Sequence, residues 1–272
     1  MRAWKYAICN EGFEGWSLEK VAQSVAEMGY EGVELAPFTL CDLVTDLTAD
    51  DRRGIRQAVE GAGQQVAGVH WLLAKTPFLL NVPDAEMRKS AADYLVALVD
   101  FCADVGGDAL VFGSPAQRDP QDGFSVEDAW GETVEAMRRV GKRANERGVQ
   151  FCIEPLGTPF VTWADDAVTM VKEVNQPGFS MMVDCKAMAQ DARWSPADQI
   201  RELVGQYQHV HVNDPNRLGP GMGDLDFQPI MQALDEVAFG GWVSVEAFEF
   251  SQGPEFVARE SLRNLREAER TN

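Results

Sequence analysis

Short apolar runs alternate with longer stretches in which apolar side chains recur every three or four positions, from one end of the chain to the other. The short runs read as strands buried on both faces, the longer stretches as amphipathic helices. KYAICNE, GVELAPF, QVAGVHWLL and DALVFGSP give four strands, and VQFCIEP, FSMMVDC, QHVHVND and WVSVEAF give four more. The helical stretches are SLEKVAQSVAEMG, ADDRRGIRQAVEGAG, DAEMRKSAADYLVALVDFCADVG, VEDAWGETVEAMRRVGKRANERG, WADDAVTMVKEVN, PADQIRELVGQ, FQPIMQALDEVAF and a closing EFVARESLRNLREAERTN. Gly29 and Gly106 stand where helices stop, and Asp50 or Asp51 is expected to open the second helix.

Strict strand–helix alternation predicts an α/β fold, a single (β/α)8 TIM barrel, with residues 1–272 as one catalytic domain. A doubly wound open sheet would also alternate, but no Gly-rich phosphate turn follows the first strand. No linker, low-complexity segment or break in composition marks a second domain.

Four of the late strands end on a residue that can bind a hard cation. Glu154 closes FCIE, Asp184 closes MMVD, His211 sits in HVHVND, and Glu246 follows WVSV. In a parallel barrel the carboxyl ends of the strands share one face, so the four side chains would converge. Three carboxylates and one imidazole suit a single Mn²⁺, Mg²⁺ or Co²⁺ ion, with Zn²⁺ a further candidate although no thiolate is required. One acid at a strand end is ordinarily a helix cap or a salt-bridge partner. Four on consecutive strands point to a shared metal site.

Charge narrows the partners. With 43 acidic against 24 basic residues the formal charge is -19, which argues against a nucleic-acid backbone but leaves room for a small anion met by local cations. The five cysteines form no metal-finger pair, and a reduced, cytoplasmic setting is expected. The first residues lack the apolar stretch of a signal peptide, and no segment reaches the length that spans a bilayer, so no membrane partner is expected.

CIEPLG, VDCKAM, HVHVNDPNRLGPGMGDLDF and SVEAF also resemble, in order and spacing, the xylose-isomerase-like barrel superfamily. The similarity is to its sugar isomerase/epimerase branch, which includes ketose 3-epimerases and hydroxypyruvate isomerase. That resemblance implies that Glu154, Asp184, His211 and Glu246 hold one divalent cation and that Glu154 and Glu246 are the acid–base pair. It implies an enediolate route for a small sugar, sugar acid or sugar phosphate: a proton returned to the opposite face epimerises, one returned to the adjacent carbon isomerises. It further implies a homo-oligomer, dimer or tetramer, and a substrate contact from Arg217, whose other reading is a loop salt bridge to Asp214 or Asp224.

One position departs from the family. Its 3-epimerases carry a second, substrate-touching histidine three residues after the metal-binding aspartate, and Ala187 stands there. Lys186 beside it either replaces that contact, favouring an acidic or phosphorylated substrate, or points into solvent. His70 is read as a pocket donor or a satisfied core histidine, and His209 as a group hydrogen-bonding behind His211. Glu34 is read as a polar contact in the barrel mouth, and Asn10 and Glu11 as pocket floor. Phe38, Trp163 and Phe248 are candidates for an apolar wall, and Trp71 is expected on the strand face opposite His70. Cys185 is read as a neighbour of Asp184 without nucleophilic chemistry.

A dehydratase or other lyase on the same scaffold is the alternative activity, separated from the first by loss of water. Abasic-DNA repair within the superfamily needs a histidine-rich zinc cluster, which three histidines and a charge of -19 do not favour. A non-catalytic sugar-binding module would have to hold opposed carboxylates at an electrostatic cost with no catalytic return.

Overall fold

The structure is a computed structural model that describes residues 2–270. Eight strands run in chain order: β1 (Lys5–Cys9), β2 (Gly32–Leu35), β3 (Gln65–Val69), β4 (Ala109–Phe112), β5 (Gln150–Ile153), β6 (Phe179–Asp184), β7 (Tyr207–Val212) and β8 (Trp242–Val245). They follow one another as neighbours in a closed barrel, β1 through β8. Pairing is parallel, with Ala7 opposite Gly32, Lys5 opposite Trp242, and His211 opposite Ser244. The eight-stranded parallel barrel is therefore observed.

The helices are α1 (Leu18–Met28), α2 (Ala49–Glu60), α3 (Ala85–Val105), α4 (Pro115–Arg118), α5 (Val126–Arg147), α6 (Ala164–Val174), α7 (Cys185–Gln190), α8 (Pro196–Glu202), α9 (Gln228–Glu236) and α10 (Pro254–Arg270). Ten α-helices among the described residues replace the eight expected. The additions are α4 and α7, single turns between a strand and its main helix, too short to show a hydrophobic period. The last two residues of the expected closing helix lie outside the described residues.

Local chemistry sets most ends. Ser17 accepts the Lys20 N–H to open α1, and Gly29 closes it at φ 100, a conformation glycine adopts without steric cost. Asp84 opens α3 by accepting the N–H groups of Glu86 and Met87. At α2 the expected opener is corrected. Thr48 accepts the Asp51 N–H while the Asp51 carboxylate accepts the Thr48 N–H, a reciprocal cap one turn earlier than an aspartate opener would give.

By contact density the chain forms two compact units. One contains the chain up to Leu35, Gln57–Ala67 and everything from Met182 onward. Its core includes Ala7, Ala67 and Trp242. The other contains Ala36–Arg56 and Gly68–Met181. There Phe151 lies between Phe112 and Phe179, ring centroids 5.6 and 6.2 Å apart. None of the five cysteines forms a disulfide. Among the described residues no helix is long and apolar enough to cross a membrane.

Candidate functional site

The first unit brings three of the expected ligands together. Asp184 ends β6, His211 lies in β7, and Glu246 follows β8 directly. All three are buried, and one ligand atom from each lies within 4.8 Å of the others. His211 Nδ1 stands 3.2 Å from a Glu246 carboxylate oxygen.

Two of the three donors are oriented by a second residue. Asp184 Oδ1 accepts the Ala187 N–H at 2.7 Å, and Oδ2 accepts the Asn213 amide at 2.6 Å. Asn213 Oδ1 in turn accepts the Lys186 N–H at 2.9 Å, which fixes the first turn of α7 against the end of β7. His211 Nε2 lies 3.2 Å from both oxygens of Glu34, and His209 Nε2 lies 2.9 Å from one of them. A carboxylate only accepts, so both Nε2 atoms donate to Glu34. Nδ1 of His211 is the other ring nitrogen, turned toward Glu246, and it becomes a ligand only on giving up its proton.

Burial pushes the Asp184 carboxyl above its ordinary range, and the Glu246 charge adds to this against the opposing Lys186. Burial alone would lower His211, but the carboxylates of Glu34 and Glu246 outweigh it and raise the imidazole well above its usual value. Glu34 is pushed up by burial and pulled down further by the two imidazoles, so it stays ionised. Buried carboxylates crowded around one imidazole make a place that favours added positive charge. Hard oxygen and imidazole donors on one small volume could hold a divalent cation.

Glu34, expected as a polar contact in the barrel mouth, is fully buried, with its carboxylate against His209 and His211. His209 hydrogen-bonds behind His211, as expected. Trp71 does not alternate from His70, because β3 ends at Val69 and Trp71 turns into the left-handed region at φ 54. Phe38 meets Trp71 edge-on, and Lys75 lies 4.2 Å from the Phe38 ring.

Glu154 belongs to the second unit, immediately after β5. Its side chain is buried, and a Cβ on Gly113 would meet its Oε2, so a glycine after β4 leaves room for the carboxylate. The Arg118 guanidinium holds its backbone. Arg118 is fully buried and donates to the carbonyls of Glu154 at 2.6 Å, Phe160 at 3.0 Å and Phe112 at 3.3 Å. Nothing local in PAQR marks that role. Asn213 did carry a signal: it follows His211 by two, on the same face as His209 and His211.

His70 is buried just past β3, its ring 6.4 Å from Trp71. Lys186 is half-buried, with Nζ 5.3 Å from the Phe248 ring. Arg217 is exposed in the loop after β7 at φ 74, its Cζ 5.7 Å from the same ring. It forms no ion pair with Asp214 or Asp224 among the described residues. Asp214 is instead bound by the loop itself, accepting the Gly223 N–H at 3.0 Å. Trp163 caps α6. Burial pushes the Cys9 and Cys185 thiols up, away from the thiolate that nucleophilic catalysis needs.

The family profile for xylose isomerase-like TIM barrels matches residues 22–268. The chain belongs to the xylose isomerase-like TIM-barrel family. Within that family it is 27% identical over 233 residues to a D-psicose 3-epimerase of Ruminiclostridium cellulolyticum, covering 83% of this chain and 76% of the relative. It is 23% identical over 273 residues to an inosose dehydratase of Geobacillus thermodenitrificans, covering 86% and 87%. Among solved structures, D-psicose 3-epimerase from Clostridium cellulolyticum H10 superposes with TM-score 0.83 at 21% identity, covering 97% of this chain and 99% of the other. A 3-keto-D-glucoside 4-epimerase from E. coli gives TM-score 0.82 at 19% identity, with the same coverages. These superpositions show the shared fold.

Proposed function

We propose that this family member is a divalent-metal-dependent isomerase or epimerase of a small sugar, sugar acid or sugar phosphate, acting through an enediolate. The observation that carries the reading is the buried Asp184–His211–Glu246 donor set, backed by Asn213 and Glu34. Membership of a family whose relatives include a D-psicose 3-epimerase and a ketose 3-epimerase of Arthrobacter globiformis supports it.

In this reading Glu154, Asp184, His211 and Glu246 hold one cation, Mn²⁺, Mg²⁺ or Co²⁺ by donor chemistry. When bound, the cation supplies stabilisation for negative charge on the substrate oxygens as a proton leaves the adjacent carbon. The support for Glu154 as the fourth donor is its buried carboxylate at the end of β5, the strand next to β6 in the barrel order. Glu154 and Glu246 are the acid–base pair: one carboxylate oxygen removes the proton and the other returns it. His211 keeps its Nε2 proton on Glu34 throughout and so contributes orientation rather than proton transfer. Arg217, Lys186 and His70 are assigned to substrate.

The test is proton exchange in D₂O, followed by NMR, with a panel of ketoses, aldoses and their acids and phosphates, with Mn²⁺ or with EDTA. Deuterium uptake next to a carbonyl that EDTA abolishes is expected. Glu246→Gln should reduce uptake by at least about a hundredfold, the usual contribution of a general acid–base group, while leaving the circular dichroism spectrum unchanged. Full exchange in that variant overturns the acid–base assignment. The match to an inosose dehydratase over 86% of this chain favours one second reading, a dehydratase on the same residues. Appearance of a water-loss product in the same NMR spectra decides for it.

A further inference from the structure

Glu11 stands just past the end of β1, and its head turns inward. β1 closes at Cys9, and the Phe13 N–H returns to the Asn10 carbonyl at 3.1 Å, a turn in which Glu11 is the second of four residues. The residue is half-buried, yet both of its carboxylate oxygens are buried. A glutamate with water in reach ordinarily turns its charge outward. Here a carboxylate oxygen of Glu11 lies within 4.8 Å of one of Glu246. Burial pushes the Cys9 thiol up, and the charges of Glu34, Glu11 and Glu246 add to it, so the three carboxylates surround the same end of β1.

A ring holds the turn in place. Phe250 lies so close to the Gly12 backbone that a Cβ on Gly12 would stand 2.2 Å from the ring Cζ. Any side chain at that position would push the ring away. Phe250 follows Glu246 by four residues. On its other side the same segment is tied down by the Phe248 and Glu249 N–H groups, which donate to the Arg217 carbonyl at 2.9 and 3.1 Å. The segment that begins at Glu246 is therefore seated on the turn that carries Glu11, and the seat sets the spacing of the two carboxylates.

Two ionised carboxylates accept hydrogen bonds, donate none and repel each other. Whatever enters beside Glu246 on this side meets acceptors. Among the described residues Glu11 joins Glu246 but not the group formed with Asp184 and His211, so it stands beside the cation position rather than on it. A sugar hydroxyl supplies the proton such an acceptor takes. An anionic group would face two like charges.

We propose that Glu11 is a specificity-determining residue whose carboxylate accepts a hydrogen bond from one substrate hydroxyl beside Glu246. The part of the substrate that meets β1 is then a neutral, hydroxyl-bearing carbon and not a carboxylate or a phosphate. The proposal rests on the isomerase/epimerase reading of the donor set and names the substrate chemistry at that end. Gly12 and Phe250 are positioning residues for the contact, because the ring on the glycine fixes where Glu11 stands relative to Glu246.

The experiment compares D-fructose with deoxy analogues that each lack one hydroxyl, in holoenzyme loaded with Mn²⁺. Exchange in D₂O gives kcat/KM for each, and calorimetry gives binding irrespective of turnover. In wild type one deoxy sugar should lose about tenfold or more, the value of one hydrogen bond to a charged group. In Glu11→Ala that sugar and fructose should become equivalent, while the penalties of the other deoxy sugars stay. Glu11→Gln, which keeps the size of the side chain, should lose part of the same discrimination and serves if the alanine variant does not fold. Gly12→Ala should shrink the same penalty by displacing Phe250, and adding Phe250→Ala should recover part of it. Deoxy penalties in Glu11→Ala and Glu11→Gln identical to those of wild type overturn the proposal even if fructose is turned over. Binding without exchange overturns the reading of the donor set instead, and the calorimetric penalties then decide Glu11 alone. Binding of no sugar at all overturns both.

Discussion

Glu34 uses one carboxylate to hold two imidazoles. Its oxygens fix His211 with Nε2 protonated, so that Nδ1 faces Glu246. Glu34→Gln keeps the shape but replaces one acceptor oxygen with a donor NH₂, which cannot face an imidazole N–H. The expected outcome is a loss of roughly 10–100-fold in Mn²⁺ affinity by calorimetry, the usual effect of removing a carboxylate behind a metal-binding histidine. Unchanged affinity would mean that His211 is not oriented by Glu34. Arg118 holds the backbone of Glu154. Arg118→Met removes donors from three carbonyls and leaves Asp119 beside an apolar chain. A loss of about 3 kcal/mol in urea unfolding is expected.

At the scale of elements, the helices of the second unit are laced together by charge. Asp104 on α3 accepts from Arg52 of α2 at 2.8 Å and from Arg147 of α5. Burial pushes its carboxyl up, but the two guanidinium groups outweigh that and hold it below its ordinary value. A depressed carboxyl stabilises the fold above its unfolded pKa, near 4, and the contribution disappears as pH falls through the folded value. The difference in urea midpoint between wild type and Asp104→Asn should therefore be constant above about pH 5 and shrink below about pH 4. A gap that persists at pH 3 would assign the effect to packing instead. Helix ends were legible from single residues, Ser17, Gly29, Asp84 and Gly106, because a cap is made within four positions. The turns α4 and α7 were not, since one turn is too short to show a period, and the Thr48 cap was hidden behind two adjacent aspartates.

For the whole molecule the dominant fact is a charge of -19 on 272 residues. Self-repulsion of that size is screened over about 8–10 Å at physiological salt. The melting temperature should rise between 20 mM and 500 mM NaCl, and a fall would mean that the surface ion pairs outweigh the net repulsion.

The sequence by itself determined the order of the strands and main helices, the parallel barrel and the polar residues at or near the ends of β5 to β8. These depend on periodicity and on strand ends, which are properties of neighbouring positions. Tertiary structure alone decided what stands behind those residues. Glu34 reaches His209 and His211 across about 175 positions, and β1 and β8 lie between their strands in the barrel order. Lys186 and Arg217 lie against the Phe248 ring, where the Asn213 side chain accepts the Lys186 N–H and the Arg217 carbonyl accepts the Phe248 N–H. Contacts of that kind follow from how strands close into a barrel, and no local pattern of residues encodes them.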